Sequence, residues 1–316
     1  MKKIISIVFL IVIVTQNYAG TNDKTKVPRD FNLATIQRTT EEVERSFIPP
    51  NGDFNRFKKQ VSAYQQLSLV SIPVTEKLVK KYVSTFTKPD KDSVFVLFSN
   101  VFYSQVNRFN DSLETTYKSI LERIDRKIND PEIKEFNKSL DRCGLYLLRM
   151  EGVYYVDEKY DYLYKIFNGR VSPAMTEYLK IRKKELKEGF SNDAELVISF
   201  NQLYQRVLTW ESFTSRYPDF VISDETQDLY TTYMSTLITG MDNSPTFDYD
   251  TGILFPELNK LYQKIIVRQD SLKSTKTIKD YYELLKMSDF KTPADMESFL
   301  KRHGLYSMKG VQPDTR

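Results

Sequence analysis

The sequence predicts a mainly α-helical globular protein, and three observations lead to this fold class. Apolar residues recur every three or four positions over most of the chain, as they do on the buried face of a helix. Several of these segments begin at a capping residue or end at a glycine. Hydrophobic residues make up 41% and charged residues 28% of the chain, which is typical of a folded protein. We therefore expect a multi-helix domain of about nine or ten helices joined by short connections.

The first nineteen residues have the pattern of a secretory signal peptide. Met1 to Lys3 is positively charged, Ile4 to Val14 is a predominantly apolar run, and residues 15–20 turn polar and small. The apolar run is shorter than the roughly 20 residues that a membrane-spanning helix needs. We therefore predict cleavage near Ala19 or Gly20, export to the periplasm or the cell exterior, and no stable transmembrane anchor after cleavage.

The expected organisation has three parts. Residues 1–19 are the signal peptide, residues 20–52 are a leader and N-terminal segment, and residues 53–316 form the helical domain. The Pro-Pro-Asn-Gly sequence of residues 49–52 marks the second boundary, because proline and glycine interrupt regular structure. A subdivision of the helical domain near 129–131 is a further expectation.

Apolar stripes place the individual helices. Residues 111–128 carry one such stripe, with Asp111 as the expected N-cap, and residues 194–215 carry another, capped by Asp193. The same periodicity predicts further helices near 53–67, 74–86, 92–108, 131–143 and 275–287.

Proline and glycine mark other helix ends. Ser172-Pro173 and Thr292-Pro293 each place a capping side chain before a proline that suits the first helical position. Gly240 and Gly304 stand where a left-handed residue would end a helix.

One stretch departs from the helical pattern. Residues 145–150 and 153–156 are short apolar and aromatic runs on either side of Glu151-Gly152, which predicts a small β-hairpin near 145–156. In the alternative, the preceding helix continues and buries Gly144 within it, at a cost of about 1 kcal/mol.

Composition excludes several function classes. The chain carries a net charge of +4, and loss of Lys2 and Lys3 with the signal leaves +2, which gives no reason to expect a nucleic-acid partner. Cys143 is the only cysteine, so no internal disulfide forms, and a buried position is expected for it. His303 is the only histidine, which excludes zinc sites built from several histidine or cysteine ligands. Phosphate-binding glycine motifs are absent, and we expect no cofactor and no metal.

The first candidate site is the stretch 151–164, where tyrosines and acids are densest. Tyrosine rings beside carboxylates are suited to sugar binding, since a ring stacks on the apolar face of a sugar and an acid binds its hydroxyls. Glu151 and Asp157 are the candidate catalytic acids and Tyr154 and Tyr155 the candidate ligand-binding residues. The alternative is structural: apolar residues at helical spacing are core, and Asp157, Glu158 and Asp161 form the solvated start of a helix.

The second candidate site is the loop from Gly240 to Phe255. Asp248 and Asp250 begin like a calcium-binding loop, but Gly252 falls at position five and Asn259 at position twelve, so an EF-hand is excluded. Asx residues also form ordinary turns. Because long loops often carry binding surfaces, the candidate ligand-binding residues here are Asp242, Asn243, Asp248 and Asp250.

These observations favour an exported protein that binds an envelope protein or glycan without catalysis. A carboxylate-dependent glycan hydrolase or lyase, acting through Glu151 and Asp157, is the first alternative. A purely structural envelope component is the second. A deep cleft with two close carboxylates would favour the enzyme, whereas an exposed aromatic surface would favour the binding protein.

Overall fold

The computed structural model describes residues 31–128 and 130–308. The predicted signal peptide, residues 20–30 of the predicted leader and N-terminal segment, and Asn129, at the predicted subdivision, lie outside the described residues. The mainly helical class is confirmed, but the described part of the chain contains thirteen α-helices and not nine or ten. The count was too low because short helices, such as Tyr162–Phe167, span too few residues to show a clear apolar period.

The N-terminal half contains seven helices, six before the predicted hairpin and one after it. They are α1 (Leu33–Ser46), α2 (Phe54–Ala63), α3 (Ser71–Tyr82), α4 (Lys88–Thr116), α5 (Lys118–Asp125), α6 (Pro131–Arg142) and α7 (Tyr162–Phe167). Short 3₁₀ segments at Gln65–Val70 and Val83–Thr85 adjoin α3 on either side. Helix α1 packs against α3 and α6, and α3 packs against α4.

The predicted helix over 111–128 is wrong, because a longer helix ends inside it. Asp111 lies within α4, whose N-cap is Thr87, and the helix breaks at Tyr117, where φ is −111° and ψ is 16°. The ring of Tyr117 is buried 5.0 Å from Phe109 and 5.2 Å from Phe136, measured between centroids. Aromatic packing therefore accompanies a break that the apolar stripe does not reveal.

Six helices form the C-terminal half. They are α8 (Pro173–Glu188), α9 (Phe200–Arg216), α10 (Ser223–Thr239), α11 (Pro256–Ile266), α12 (Lys273–Met287) and α13 (Met296–His303). The predicted cap at Ser172 is confirmed, since its hydroxyl accepts from the amide of Met175 at 3.1 Å. Gly304 ends α13 in the left-handed region, as predicted.

Two predicted helix starts in this half are wrong. Helix α9 begins at Phe200 and not near 194, because Ser199 and Gln202 form a capping box and Asp193 lies in a tight turn. Helix α13 begins at Met296, four residues after Thr292, so Thr292-Pro293 does not start it.

The predicted hairpin is confirmed. Strand β1 (Leu145–Met150) pairs antiparallel with β2 (Val153–Glu158), and Leu145 lies opposite Glu158. Glu151 and Gly152 both have positive φ, 50° and 86°, as a two-residue turn of this hand requires. Two smaller strand pairs occur as well: β3 (Ser191–Asn192) with β4 (Glu195–Leu196), and β5 (Gly240–Met241) with β6 (Ser244–Pro245).

Nearly all of the buried apolar side chains form one cluster, which reaches from Phe31 to Leu305. Cys143 belongs to it and is fully buried, with its sulfur 3.6 Å from the carbonyl oxygen of Leu69. Among the residues that the structure describes, no helix is both long and apolar enough to cross a membrane.

Candidate functional site

The candidate site begins at the last residue of the hairpin. Side chains alternate between the two faces of a strand, so β2 directs Tyr154, Val156 and Glu158 to its buried face. Glu158 is only 6% exposed. A carboxylate on the buried face of a strand needs partners, because an unpaired buried charge is costly.

Helix α4 supplies the contacts that hold this end of β2. Asn110 accepts from the amide of Val156 at 2.8 Å and donates to the carbonyl of the same residue at 3.1 Å. Two turns earlier on α4, the hydroxyl of Tyr103 donates to Glu158 Oε2 at 2.7 Å. The carboxyl group of Glu158 is therefore fixed against α4.

A pocket of about 20 Å³ adjoins Glu158, which is room for about one water molecule. Helix α8 forms its other wall, and there the hydroxyl of Tyr178 donates to Glu225 of α10 in a short hydrogen bond. The lining is aromatic, aliphatic and charged: Tyr103, Glu158, Tyr160, Leu163, Tyr164, Tyr178, Leu179, Arg182, Lys183 and Leu186. We call this the Glu158 pocket.

The pKa of Glu158 is raised from 4.5 to about 7, chiefly because burial penalises the charged carboxylate. The Tyr103 hydrogen bond and the Arg182 charge oppose this rise, whereas the Asp157 and Glu225 charges add to it. A carboxyl group with this pKa exchanges a proton near neutral pH, and it can donate or accept a hydrogen bond.

Tyrosines form the exposed rim of the Glu158 pocket. Tyr103 is 37% exposed and Tyr160 is 41% exposed. Tyr164 is half-buried beneath Lys183, whose ammonium lies 4.5 Å from the ring centroid. We call Tyr103, Tyr160 and Tyr164 the tyrosine surface.

The structure does not bring the two predicted catalytic acids together. Glu151 is exposed in the hairpin turn, whereas Asp157 lies near the far end of β2. Extended strand rises by about 3.3 Å per residue, so roughly 13 Å separates Val153, next to the turn, from Asp157. Asp157 adjoins Glu158 but points to the other face of β2, where it accepts from Tyr146 at 3.5 Å. Asp157 and Glu158 belong to this strand, so the alternative that placed them at the start of a helix is wrong for these two residues, whereas Asp161 does precede the first residue of α7.

The two predicted ligand-binding tyrosines of the hairpin also lie apart from the Glu158 pocket. Tyr154 is buried, and its hydroxyl donates to Asp125 at 2.6 Å while the guanidinium of Arg149 lies 5.3 Å from its ring centroid. These contacts give Tyr154 a structural role. Tyr155 is half-buried and lies opposite Leu148.

The candidate residues of the loop from Gly240 to Phe255, which we call the C-terminal loop, stabilise turns. Asp242 and Asn243 form the turn between β5 and β6, and Asn243 donates from its side chain to the carbonyl of Asp193 at 2.6 Å. Asp248 accepts from the amides of Asp250 and Thr251 at 3.1 and 2.8 Å, and the hydrogen bonds from Thr251 lower the pKa of its carboxyl group. These Asx contacts are those of an ordinary turn. Within residues 31–128 and 130–308, no group of three or more metal-binding side chains occurs.

Sequence reasoning missed the residues that meet at the pocket. Glu158 was treated as solvated, although its spacing of two from Val156 and four from Tyr154 places it on the buried face of a strand. That alternation was the available signal. No sequence signal joins Tyr103 or Arg182 to Glu158, because 55 residues separate Tyr103 from Glu158 along the chain.

Comparison of the chain with protein-family models, curated proteins and solved structures finds no significant match.

Proposed function

We propose that this is an exported protein that binds another macromolecule, without catalysis, through the tyrosine surface around the Glu158 pocket. The observation that carries the proposal is the exposure of Tyr103 and Tyr160 beside a buried acid. Exposed tyrosines are enriched in interfaces because each ring buries a large area and keeps a polar hydroxyl.

The size of the pocket supports recognition of a surface over enclosure of a small ligand. Small-molecule sites usually occupy roughly 300–1,000 Å³. The Glu158 pocket measures about 20 Å³, so it admits a single small group of a partner and leaves the remainder outside on the tyrosine rings. This arrangement favours an envelope or extracellular protein as the partner, with a glycan as the other outcome of the test.

A pull-down with the mature protein tests this proposal. We expect envelope fractions of the native host to yield a partner whose retention falls at least about tenfold with Tyr160→Ala, as for an interface hot spot. Tyr249→Ala is the matched control, because Tyr249 is 67% exposed in the C-terminal loop. Loss of retention with Tyr249→Ala but not with Tyr160→Ala would move the binding surface to that loop. Equal retention of the partner by the wild type, Tyr160→Ala and Tyr249→Ala would contradict the proposal.

Export is part of the proposal and has its own test. We expect the protein isolated from its native host to lie outside the cytoplasm, with its N-terminus near Gly20 or Thr21. N-terminal sequencing of fractionated cells measures this. A soluble cytoplasmic pool that still begins at Met1 would show that residues 1–19 are not a cleaved signal.

A carboxylate-dependent glycan hydrolase or lyase is the second candidate function, and the raised pKa of Glu158 favours it. A general acid at neutral pH needs such a pKa. Cleavage of a peptidoglycan or polysaccharide panel by the wild type, but not by a folded Glu158→Gln variant, would replace the binding proposal. Absence of both cleavage and retention would favour a structural envelope component.

A further inference from the structure

Glu158 and Arg182 each leave hydrogen-bonding atoms unpaired beside the Glu158 pocket, which both residues line. Oε2 of Glu158 accepts from Tyr103, whereas Oε1 has no hydrogen-bond partner among the described residues. Within the same residues, Arg182 makes one hydrogen bond, from Nη1 to Glu185 at 3.4 Å, so its Nε and Nη2 are unpaired. None of these three atoms is fully buried, and 19% of the Arg182 side chain is exposed. An acceptor and two donors are therefore accessible at the same pocket.

The two residues belong to opposite walls of the pocket and do not pair with each other. Glu158 is held on the wall that β2 and α4 form, whereas Arg182 belongs to α8. The Arg182 charge opposes the rise in the pKa of Glu158, but no hydrogen bond or ion pair joins the two residues in the part of the chain that the structure describes. Arg182 lines this pocket and not the recess between α8 and α9. The void of about 20 Å³ therefore holds a group of about the size of one water molecule between a carboxylate and a guanidinium.

Charge and hydrogen bonding restrict what can occupy this void. Ionised Glu158 would repel a carboxylate, and Arg182, with Lys183 at the rim, would repel an ammonium group. A neutral group that only accepts hydrogen bonds would leave Oε1 of Glu158 unpaired, which is costly once water is displaced. A hydroxyl group accepts from Arg182 and donates to Glu158 through one oxygen atom. It therefore satisfies both walls within the space of one water molecule.

We propose that the Glu158 pocket binds the hydroxyl group of a threonine or serine side chain of the partner protein. This inference rests on the proposed function and names the group that the partner inserts at the tyrosine surface. A hydroxyl makes the hydrogen bonds of the water that it displaces, and the carbon atoms beside it also bury apolar area on Leu163 and on the rings of Tyr103 and Tyr160. A hydroxyl on a short side chain reaches between these rings, whereas most sugar hydroxyls are attached directly to a bulky ring.

Four small molecules of nearly equal shape test this proposal without the partner. Isopropanol has the shape of a threonine side chain and both donates and accepts hydrogen bonds, whereas acetone only accepts them. Acetate is the matched anion and isopropylammonium the matched cation. Each is titrated into the mature protein at constant ionic strength and about pH 8.5, where Glu158 is ionised because its pKa is about 7. The carbon resonance of the Arg182 guanidinium reports binding at the pocket.

We expect isopropanol to shift this resonance saturably, with half-saturation at a concentration at least about tenfold lower than for acetone, acetate or isopropylammonium. Equal or tighter binding of any of these three would overturn the proposal. So would the absence of a shift with isopropanol, which would leave water as the occupant of the void. Methyl β-xyloside, whose hydroxyls are attached directly to its ring, represents a glycan. Tighter binding of this sugar than of isopropanol would overturn the assignment to a protein side chain.

Glu158→Gln tests the accepting wall, because it turns that wall into a donor. The Tyr103 hydroxyl donates to the new amide oxygen, so the amide nitrogen faces the void. Acetate and acetone should therefore gain on isopropanol, each affinity ratio changing by at least about tenfold. Glu151→Gln makes the same change at the exposed hairpin turn and should keep the wild-type order of affinities.

An unchanged order of affinities in folded Glu158→Gln would show that Glu158 is not the acceptor and would overturn the proposal. The order in the wild type decides the proposal by itself if this variant does not fold. Failure here is distinct from failure of the proposed function, because the probes need no partner. Selective isopropanol binding with undiminished partner retention by Tyr160→Ala would contradict the tyrosine surface alone, whereas loss of retention without isopropanol selectivity would contradict the hydroxyl site alone.

Discussion

Replacement of Gly144 by alanine is expected to destabilise the protein by several kcal/mol. Gly144 joins α6 to β1 with a φ of +74°, and an added Cβ would lie 2.2 Å from Cγ of Tyr162. A positive φ costs a non-glycine residue about 1–2 kcal/mol, and overpacking in a core adds roughly 1–3 kcal/mol.

Neither the ring nor the backbone at this site moves freely. The hydroxyl of Tyr162 donates to Glu76 at 3.0 Å, and its ring lies 5.5 Å from that of Phe102. The carbonyl of Gly144 accepts a hydrogen bond from the amide of Lys159 at 2.8 Å. The amide of Gly144 donates to the backbone carbonyl of Asp141 at 3.0 Å. Relief of the clash therefore requires loss of hydrogen bonds or of core packing.

Gly152→Ala is the matched control for this prediction. Gly152 has a φ of +86°, but its Cβ would meet nothing within 4 Å, so only the backbone cost applies. Urea unfolding of both variants should show a free energy of unfolding lower by at least about 1 kcal/mol for Gly144→Ala than for Gly152→Ala. An equal loss of unfolding free energy in the two variants would mean that the ring of Tyr162 moves away from the new methyl group.

The hairpin and the helices show why part of this fold was predictable from sequence. Local signals placed the hairpin turn at Glu151-Gly152 and the start of α8 at Ser172-Pro173, because each depends on the conformational preference of a few adjacent residues. The end of α4 at Tyr117 was missed because a ring there packs against Phe136, nineteen residues further along the chain. A preference set by distant packing leaves no local pattern.

The Glu158 pocket was less predictable than the fold. The stretch 151–164 was identified by its tyrosines and acids, and Tyr160 and Tyr164 do line the pocket. The acid that lies within it was missed, because assigning Glu158 requires that residues 153–158 form a strand buried on one face. The opposing residues come from α4 and α8, and their approach depends on the tertiary packing.

Replacement of Glu158 by glutamine is expected to remove a pH dependence of stability. The pKa of Glu158 rises from 4.5 to about 7 on folding, because burial favours the protonated form. Between these values the folded state binds more protons than the unfolded state, so the wild type loses stability as the pH rises. At 1.36 kcal/mol per pKa unit, the loss from about pH 4.5 to pH 7 approaches roughly 3 kcal/mol.

Glutamine keeps the shape of the protonated acid and an oxygen that accepts from Tyr103, but it does not titrate. The difference in unfolding free energy between wild type and Glu158→Gln should therefore fall as the pH rises from about 4.5 and level off above about 7. Asp157, whose pKa burial also raises, remains in both proteins, so its contribution largely cancels. Glu151→Gln, at an exposed position of the same hairpin, is the control and should follow the wild-type profile. Parallel profiles for wild type and Glu158→Gln would show that Glu158 ionises in the folded protein as it does in the unfolded chain, and the proton-exchange chemistry assigned to its pocket would then be lost.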